Sequence, residues 1–196
     1  MWMDDLDKII VIFHGIDNKP FLSKFKFQKA VFLSILTFSK NKKEALEKLE
    51  DASFYPHKYG PYSEYVEEKR LDLERQGILK KIDKGLNVLS EAGLEVYSNL
   101  VARIGEKNLK LFAIRNIKEM INVPINDHIL ALLVYDIAEK YGYVLNSKII
   151  SELEKNRLKY AIILYKKAIV SRERAAELAR MKLFEFSSML MRLRNL

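Results

Sequence analysis

Ile78-Leu-Lys-Lys-Ile82, Asp83-Lys84-Gly85, Leu86-Asn-Val-Leu89 and Ser90-Glu-Ala-Gly-Leu-Glu95 follow one another without interruption. Two short apolar runs separated by Asp-Lys-Gly predict a β-hairpin, with the glycine supplying the positive φ of its turn. Ser90 then predicts a capped helix start. Upstream, Glu64–Gln76 predicts a helix closed by Gly77, with Tyr65 or Val66 and Leu71 or Leu73 forming its apolar stripe.

Three further helices are expected before that. Leu6, Ile9, Ile10 and Phe13 fall at helical spacing and stop at Gly15. Lys24–Ser39 is apolar around nearly its whole circumference, through Phe25, Phe27, Val31, Phe32, Leu33, Ile35, Leu36 and Phe38, which marks a central core helix. Lys42–Asp51 is amphipathic through Ala45, Leu46 and Leu49. Between it and Ser63 runs Phe54-Tyr-Pro-His-Lys-Tyr-Gly-Pro-Tyr-Ser, where Pro56, Gly60 and Pro61 enforce an irregular link. Helices, a hairpin and a Ser-capped helix, in that order, describe a winged-helix-like domain over residues 1–100.

The pieces Phe27-Gln-Lys-Ala-Val-Phe-Leu, Phe54…Tyr59-Gly-Pro-Tyr-Ser and Leu73-Glu-Arg-Gln-Gly-Ile-Leu, in this order and spacing, resemble the YwgA/Panacea-type domain. That group includes antitoxins of the SocA kind, and the resemblance covers roughly residues 5–100. It implies a fold more than an activity.

Residues 1–100 carry 16 Lys+Arg and 16 Asp+Glu, whereas 101–196 carry 18 and 10, so the formal charge of +8 belongs to the second half. Nine basic residues and only two acids, Glu173 and Glu177, lie in 155–182: Lys155, Arg157, Lys159, Lys166, Lys167, Arg172, Arg174, Arg180 and Lys182. A focused cationic surface implies a polyanionic partner, most simply DNA. The helix before the hairpin is unsuited to that partner. Its Glu64, Glu67, Glu68, Asp72 and Glu74 outnumber Lys69, Arg70 and Arg75, and affinity for DNA depends on neutralising phosphates. Lys80, Lys81 and Lys84 on the hairpin are secondary candidates for phosphate contact.

Leu100–Ile121 is expected as one long amphipathic helix, ended by Val123-Pro124. Residues 101–124 thus read as a connecting helix and 125–196 as a basic helical domain. Within the latter, Asn126 caps a helix ending at Tyr141-Gly142, Asn146–Glu154 is a short helix, and Arg157–Lys167 another. Ser171 caps Arg172–Ala179, Arg180-Met181-Lys182 turns, and Leu183–Leu193 follows, which is the spacing of a helix-turn-helix. Ala176 sits at the expected crossing, with Ala175, Ala179, Met181, Phe186 and Met189 joining the two helices.

The stretch Leu164-Tyr-Lys-Lys-Ala-Ile-Val-Ser-Arg-Glu-Arg-Ala-Ala-Glu-Leu-Ala-Arg-Met-Lys-Leu-Phe-Glu-Phe resembles a family of small prokaryotic proteins classed as antitoxins, often paired with PIN-type ribonuclease toxins. Two departures stand out. The family's turn glycine is Arg180 here, and a non-glycine in a left-handed turn costs roughly 1 kcal/mol. The second helix presents Leu183, Glu185, Ser187, Ser188, Met191 and Arg192 outward, so only Ser187, Ser188 and Arg192 suit a groove. Its apolar Leu183, Phe184, Leu190 and Met191 equally suit dimerisation or capture of a partner protein.

Cysteine is absent, so disulfides, thiolate metal sites and a Cys nucleophile are excluded. His14, His57 and His128 lack ligand spacing, and His57 among Tyr55, Tyr59, Tyr62 and Tyr65 reads as a packed, hydrogen-bonded residue. Asp4, Asp5 and Asp7 suit a helix N-terminus. No phosphate loop, nucleophile elbow, signal peptide or membrane-length apolar run is found. The expectation is a cytoplasmic, mainly α protein without cofactor, metal or enzymatic activity. It acts as a homodimeric DNA-binding transcription regulator of antitoxin type. The alternative is a protein-interaction module that neutralises a toxin, or joins an assembly, without touching DNA.

Overall fold

The computed structural model describes residues 5–82, 86–105 and 108–194. Those residues form ten α-helices and one antiparallel two-stranded hairpin, making the protein mainly α. The expected turn Asp83-Lys84-Gly85, and Lys84 with it, lies outside the described residues, as does Asp4. Contacts divide the chain into two units, one of residues 1–55 and 61–124, the other of 56–60 and 125–196.

The first unit holds α1 (Asp5–Gly15), α2 (Lys24–Phe38), α3 (Lys42–Asp51), α4 (Glu64–Arg75), β1 (Leu79–Lys81), β2 (Asn87–Leu89), α5 (Glu91–Ile104) and α6 (Leu109–Ile121). Side-chain caps set its helix starts. Ser23, Asn41, Ser63, Ser90 and Asn108 each accept a first-turn backbone N–H. The apolar circumference of α2 is buried from Lys26 to Leu36, with α3 and α6 against it. On α4 the buried stripe resolves to Val66 and Leu73. The hairpin pairs Leu79 with Leu89 and Lys81 with Asn87. Its return into α5 needs glycine, because a Cβ at Gly93 would stand 2.1 Å from the Ile78 carbonyl oxygen.

The helix expected over Leu100–Ile121 is two helices. Apolar periodicity continues across the break, but Gly105 takes φ +87° and Asn108 caps α6. Residues 101–124 belong to the first unit, because α6 buries Ile114, Ile117 and Ile121 and packs on α2 and α1. Lys118 of α6 is buried and donates to the Ile16 carbonyl at 2.7 Å, the Asp17 carboxylate at 2.8 Å and the Lys19 carbonyl at 2.8 Å. Asn122 bonds both the Leu22 N–H and the Pro20 carbonyl. Together they hold the turn between α1 and α2, where Asp17 and Asn18 have positive φ.

The link after α3 satisfies only part of its own backbone, and side chains from elsewhere take further groups. Tyr55 and Tyr62 exchange two backbone bonds. Gln28, fully buried on α2, donates to the Ser63 carbonyl and accepts from the Ser63 N–H, both at 3.1 Å. Ser63 then donates its hydroxyl to the Ala52 carbonyl. Within the second unit, the buried Tyr135 hydroxyl accepts from the His57 N–H at 2.7 Å and donates to the His57 carbonyl at 2.6 Å. The His57 ring accepts from the Tyr59 N–H and packs on the Tyr59 ring.

The second unit comprises 56–60 with α7 (Asp127–Tyr141), α8 (Ser147–Lys166), α9 (Arg172–Leu178) and α10 (Leu183–Arg194). The two short helices expected over 146–167 are one twenty-residue helix. Lys155 and Asn156 break nothing, and the Asn156 amide bonds the Glu152 carbonyl one turn back. No helix among the described residues is long and apolar enough to cross a membrane.

Five helices end alike. In α3, α4, α7, α8 and α9 the residues Ser53, Gly77, Gly142, Ala168 and Arg180 have positive φ. Each returns its N–H to a carbonyl three residues back, and the next residue bonds the carbonyl five back, which is a Schellman motif. The residues following these turns, Phe54, Ile78, Tyr143, Ile169 and Met181, bond the carbonyls of the buried Leu49, Leu73, Ala138, Leu164 and Ala176. Apolar residues at both of these positions, rather than glycine at the turn, are common to all five.

Candidate nucleic-acid interface

The basic run of 155–182 occupies α8, the turn after it, α9 and the turn into α10. Ser171 caps α9 by accepting from the Arg174 N–H at 3.2 Å. Ala175, Ala176 and Leu178 are buried, and α9 packs on α7, α8 and α10. Phe186 is the fully buried residue of α10 and meets Tyr165 edge-on. The Glu185 carboxylate accepts from the Lys182 N–H, half of a capping box.

Three of the nine cations are already committed. Arg157 is buried, donating to the Leu178 carbonyl at 3.0 Å and to Glu154 at 2.8 and 3.1 Å. It thereby holds one of the last carbonyls of α9. Arg174 is half-buried between Asp136, at 2.5 Å, and Glu177, at 2.7 Å. Burial opposes its charge, but Glu177 and Asp136 overcome that and raise its pKa. Arg180 pairs with Glu154 at 2.9 Å and approaches Glu139 at 3.8 Å. Its φ of +54° places it in the left-handed region.

The remaining cations are free. Lys166, Lys167, Arg172 and Lys182 are exposed and form no ion pair among the described residues, and the same holds for Lys155, Lys159 and Arg192. Lys80 and Lys81 are exposed on β1 of the first unit. On α10 the outward face centres on Phe184, 80% exposed, and Met191, 61% exposed. Ser187 and Ser188 are half-buried at its flanks.

Sequence reasoning did not find the acids. Asp136, Glu139 and Glu154 lie outside 155–182, so the charge of that window overstates the field of the folded surface. Their sequence signals are local ones, the i, i+3 spacing of Glu154 with Arg157 and the i, i+4 spacing of Asp136 with Lys140, neither of which announces a pair with Arg174 or Arg180. Among the described residues no three His, Asp or Glu side chains converge to hold a metal ion.

No family model, curated protein or solved structure matches this chain.

Proposed function

We propose that the chain is a DNA-binding regulator of antitoxin type, in which 171–194 form a helix-turn-helix and 1–100 a winged-helix-like domain. One observation carries the reading: Lys166, Lys167, Arg172 and Lys182 stay exposed and unpaired around α9 while their neighbours Arg157, Arg174 and Arg180 are tied to carboxylates. The four supply phosphate contacts, and Arg192 with Ser187 and Ser188 flanks the groove-facing side of α10. Phe184 and Met191 contribute apolar contact rather than base-edge hydrogen bonds. The reading includes a homodimer, no catalysis and no cofactor, and it draws on the two antitoxin resemblances.

Titration of duplex DNA by fluorescence anisotropy tests it. Four phosphate contacts predict an affinity loss of about a hundredfold between roughly 50 and 200 mM salt. Reversing Lys166 and Lys167 to Glu should flatten that slope and weaken binding. Absence of binding at low salt, or indifference to the reversal, ends the reading.

The exposure of Phe184 and Met191 favours a second reading, in which α10 binds a protein, a toxin or a second copy, and DNA is not a ligand. Phe184→Glu would then abolish sedimentation as a dimer or toxin complex, and wild-type protein would not bind duplex DNA.

A further inference from the structure

A cavity of about 310 Å³ lies in the first unit, lined by His14, Phe21, Ser23, Lys24, Phe25, Phe27, Glu67, Arg70 and Asn87. We propose that it binds a small aromatic carboxylate, a ring of one or two cycles bearing a single acid group. The inference is independent of the DNA reading.

His14 is the first reason. It is 2% exposed, lines the cavity, and neither ring nitrogen makes a hydrogen bond of ordinary geometry, although the Asn87 backbone lies near enough to favour the protonated ring. A buried polar group left unpaired costs about 1–3 kcal/mol, and such groups in native folds call for an explanation. One ring nitrogen of a neutral imidazole donates and the other accepts. Burial, then Lys118 and Arg70, hold the His14 pKa down at about 3, so it is neutral at physiological pH.

The walls select the ring. Phe21, Phe25 and Phe27 contribute apolar surface, with Phe21 edge-on to Phe27 at 5.5 Å and to His14 at 5.9 Å. The volume is at the lower limit of ligand pockets, room for a ring and its substituents rather than a dinucleotide.

The charges select the acid. Lys24 is exposed, with its ammonium over the rings of Phe25 and Tyr62, and makes no ion pair among the described residues. Glu67 also lines the cavity, but Arg70 holds both its oxygens, at 2.7 and 3.1 Å. Arg70 bonds Glu74 and Asn87 as well, and Asn87 bonds Glu74. Lys118 keeps the turn bearing Phe21 in place. A cationic ligand would meet Lys24 with no free acid to receive it. A carboxylate can pair with Lys24 and accept from the His14 N–H.

Calorimetric and imidazole ¹⁵N NMR titration of the full chain with benzoate and indole-3-carboxylate tests this, with benzamide and benzylamine as controls. At least one acid should bind saturably, shift the His14 resonances, and bind about tenfold or more tightly than either control. His14→Phe, which keeps the ring volume and removes both nitrogens, and the exposed Lys24→Glu should each weaken it by a similar factor. No saturable binding of either acid below ~10 mM would mean a cavity that holds water only. That result, equal binding of benzylamine, or undiminished binding by both variants overturns the proposal.

Discussion

Gln28 and Ser63 meet as two strands would: one amide side chain takes both backbone groups of one residue, in a fully buried place. Removing the amide orphans both groups. Gln28→Leu should lower stability by about 2–4 kcal/mol, read as a lower urea midpoint at unchanged m-value. Gln28→Glu should recover part of this only at low pH, where the protonated acid can accept from the Ser63 N–H and donate to its carbonyl; the buried carboxylate would face that carbonyl oxygen unpaired.

Tyr135 treats His57 the same way. Tyr135→Phe keeps the ring and removes both bonds, so the expected loss is about 2 kcal/mol, with faster hydrogen exchange at the His57 amide. Burial raises the Tyr135 phenol pKa, so alkaline titration should find it protonated after exposed tyrosines ionise.

These two contacts join what was legible in the chain to what was not. The irregular link followed from Pro56, Gly60 and Pro61, and the helix starts after Ser90, Asn126 and Ser171 from those capping residues, because capping is local chemistry. The partners of the link were not legible, since nothing in a predominantly apolar helix says that its one amide must serve a backbone 35 residues away. The break at Gly105 was missed because apolar spacing runs through it. The candidate interface was legible as a concentration of cations but not as a pattern of free ones. Glu154 and Glu177 sit one turn from Arg157 and Arg174, but the pairs of Arg174 with Asp136 and of Arg180 with Glu154 depend on how α7, α8 and α9 pack.

Arg180 and Ala168 both occupy left-handed turn positions. Ala168→Gly should raise stability by about 0.5–1 kcal/mol, the strain relieved less the added flexibility of the unfolded chain. Arg180→Gly should gain less, because it also gives up the pair with Glu154, a loss of about 0.5 kcal/mol on a half-exposed surface. Thermal unfolding at two salt concentrations separates the cases: the difference between the two variants should narrow at high salt.

His14 makes the first unit acid-sensitive. Its folded pKa, about 3, lies below the unfolded 6.5, so between those values the unfolded chain binds the additional proton and stability is lost as the pH is lowered. The slope contributed is at most about 1.4 kcal/mol per pH unit. The groups acting on the imidazole are Arg70 on α4, Lys118 on α6 and, in the opposite sense, the backbone of Asn87 on β2. Denaturant unfolding from pH 7 to 4 should show the wild type losing stability more steeply than His14→Phe. Parallel curves would show that His14 is not shielded from protons.

Gly93→Ala drives a methyl into the Ile78 carbonyl, 2.1 Å away, with backbone on both sides of the contact. The expected loss is about 1–3 kcal/mol, seen as a lower unfolding midpoint, with the β1–β2 amides exchanging faster than those of α2.

Residues 56–60 group with the second unit although 61–63 group with the first. No single cut of the polypeptide can therefore yield both units whole. A fragment starting at Ile125 would carry Tyr135 without the His57 backbone that its hydroxyl serves. Expressed alone, it should be less stable than the same unit in the full chain, and a synthetic peptide spanning 54–63, added in trans, should restore part of the difference.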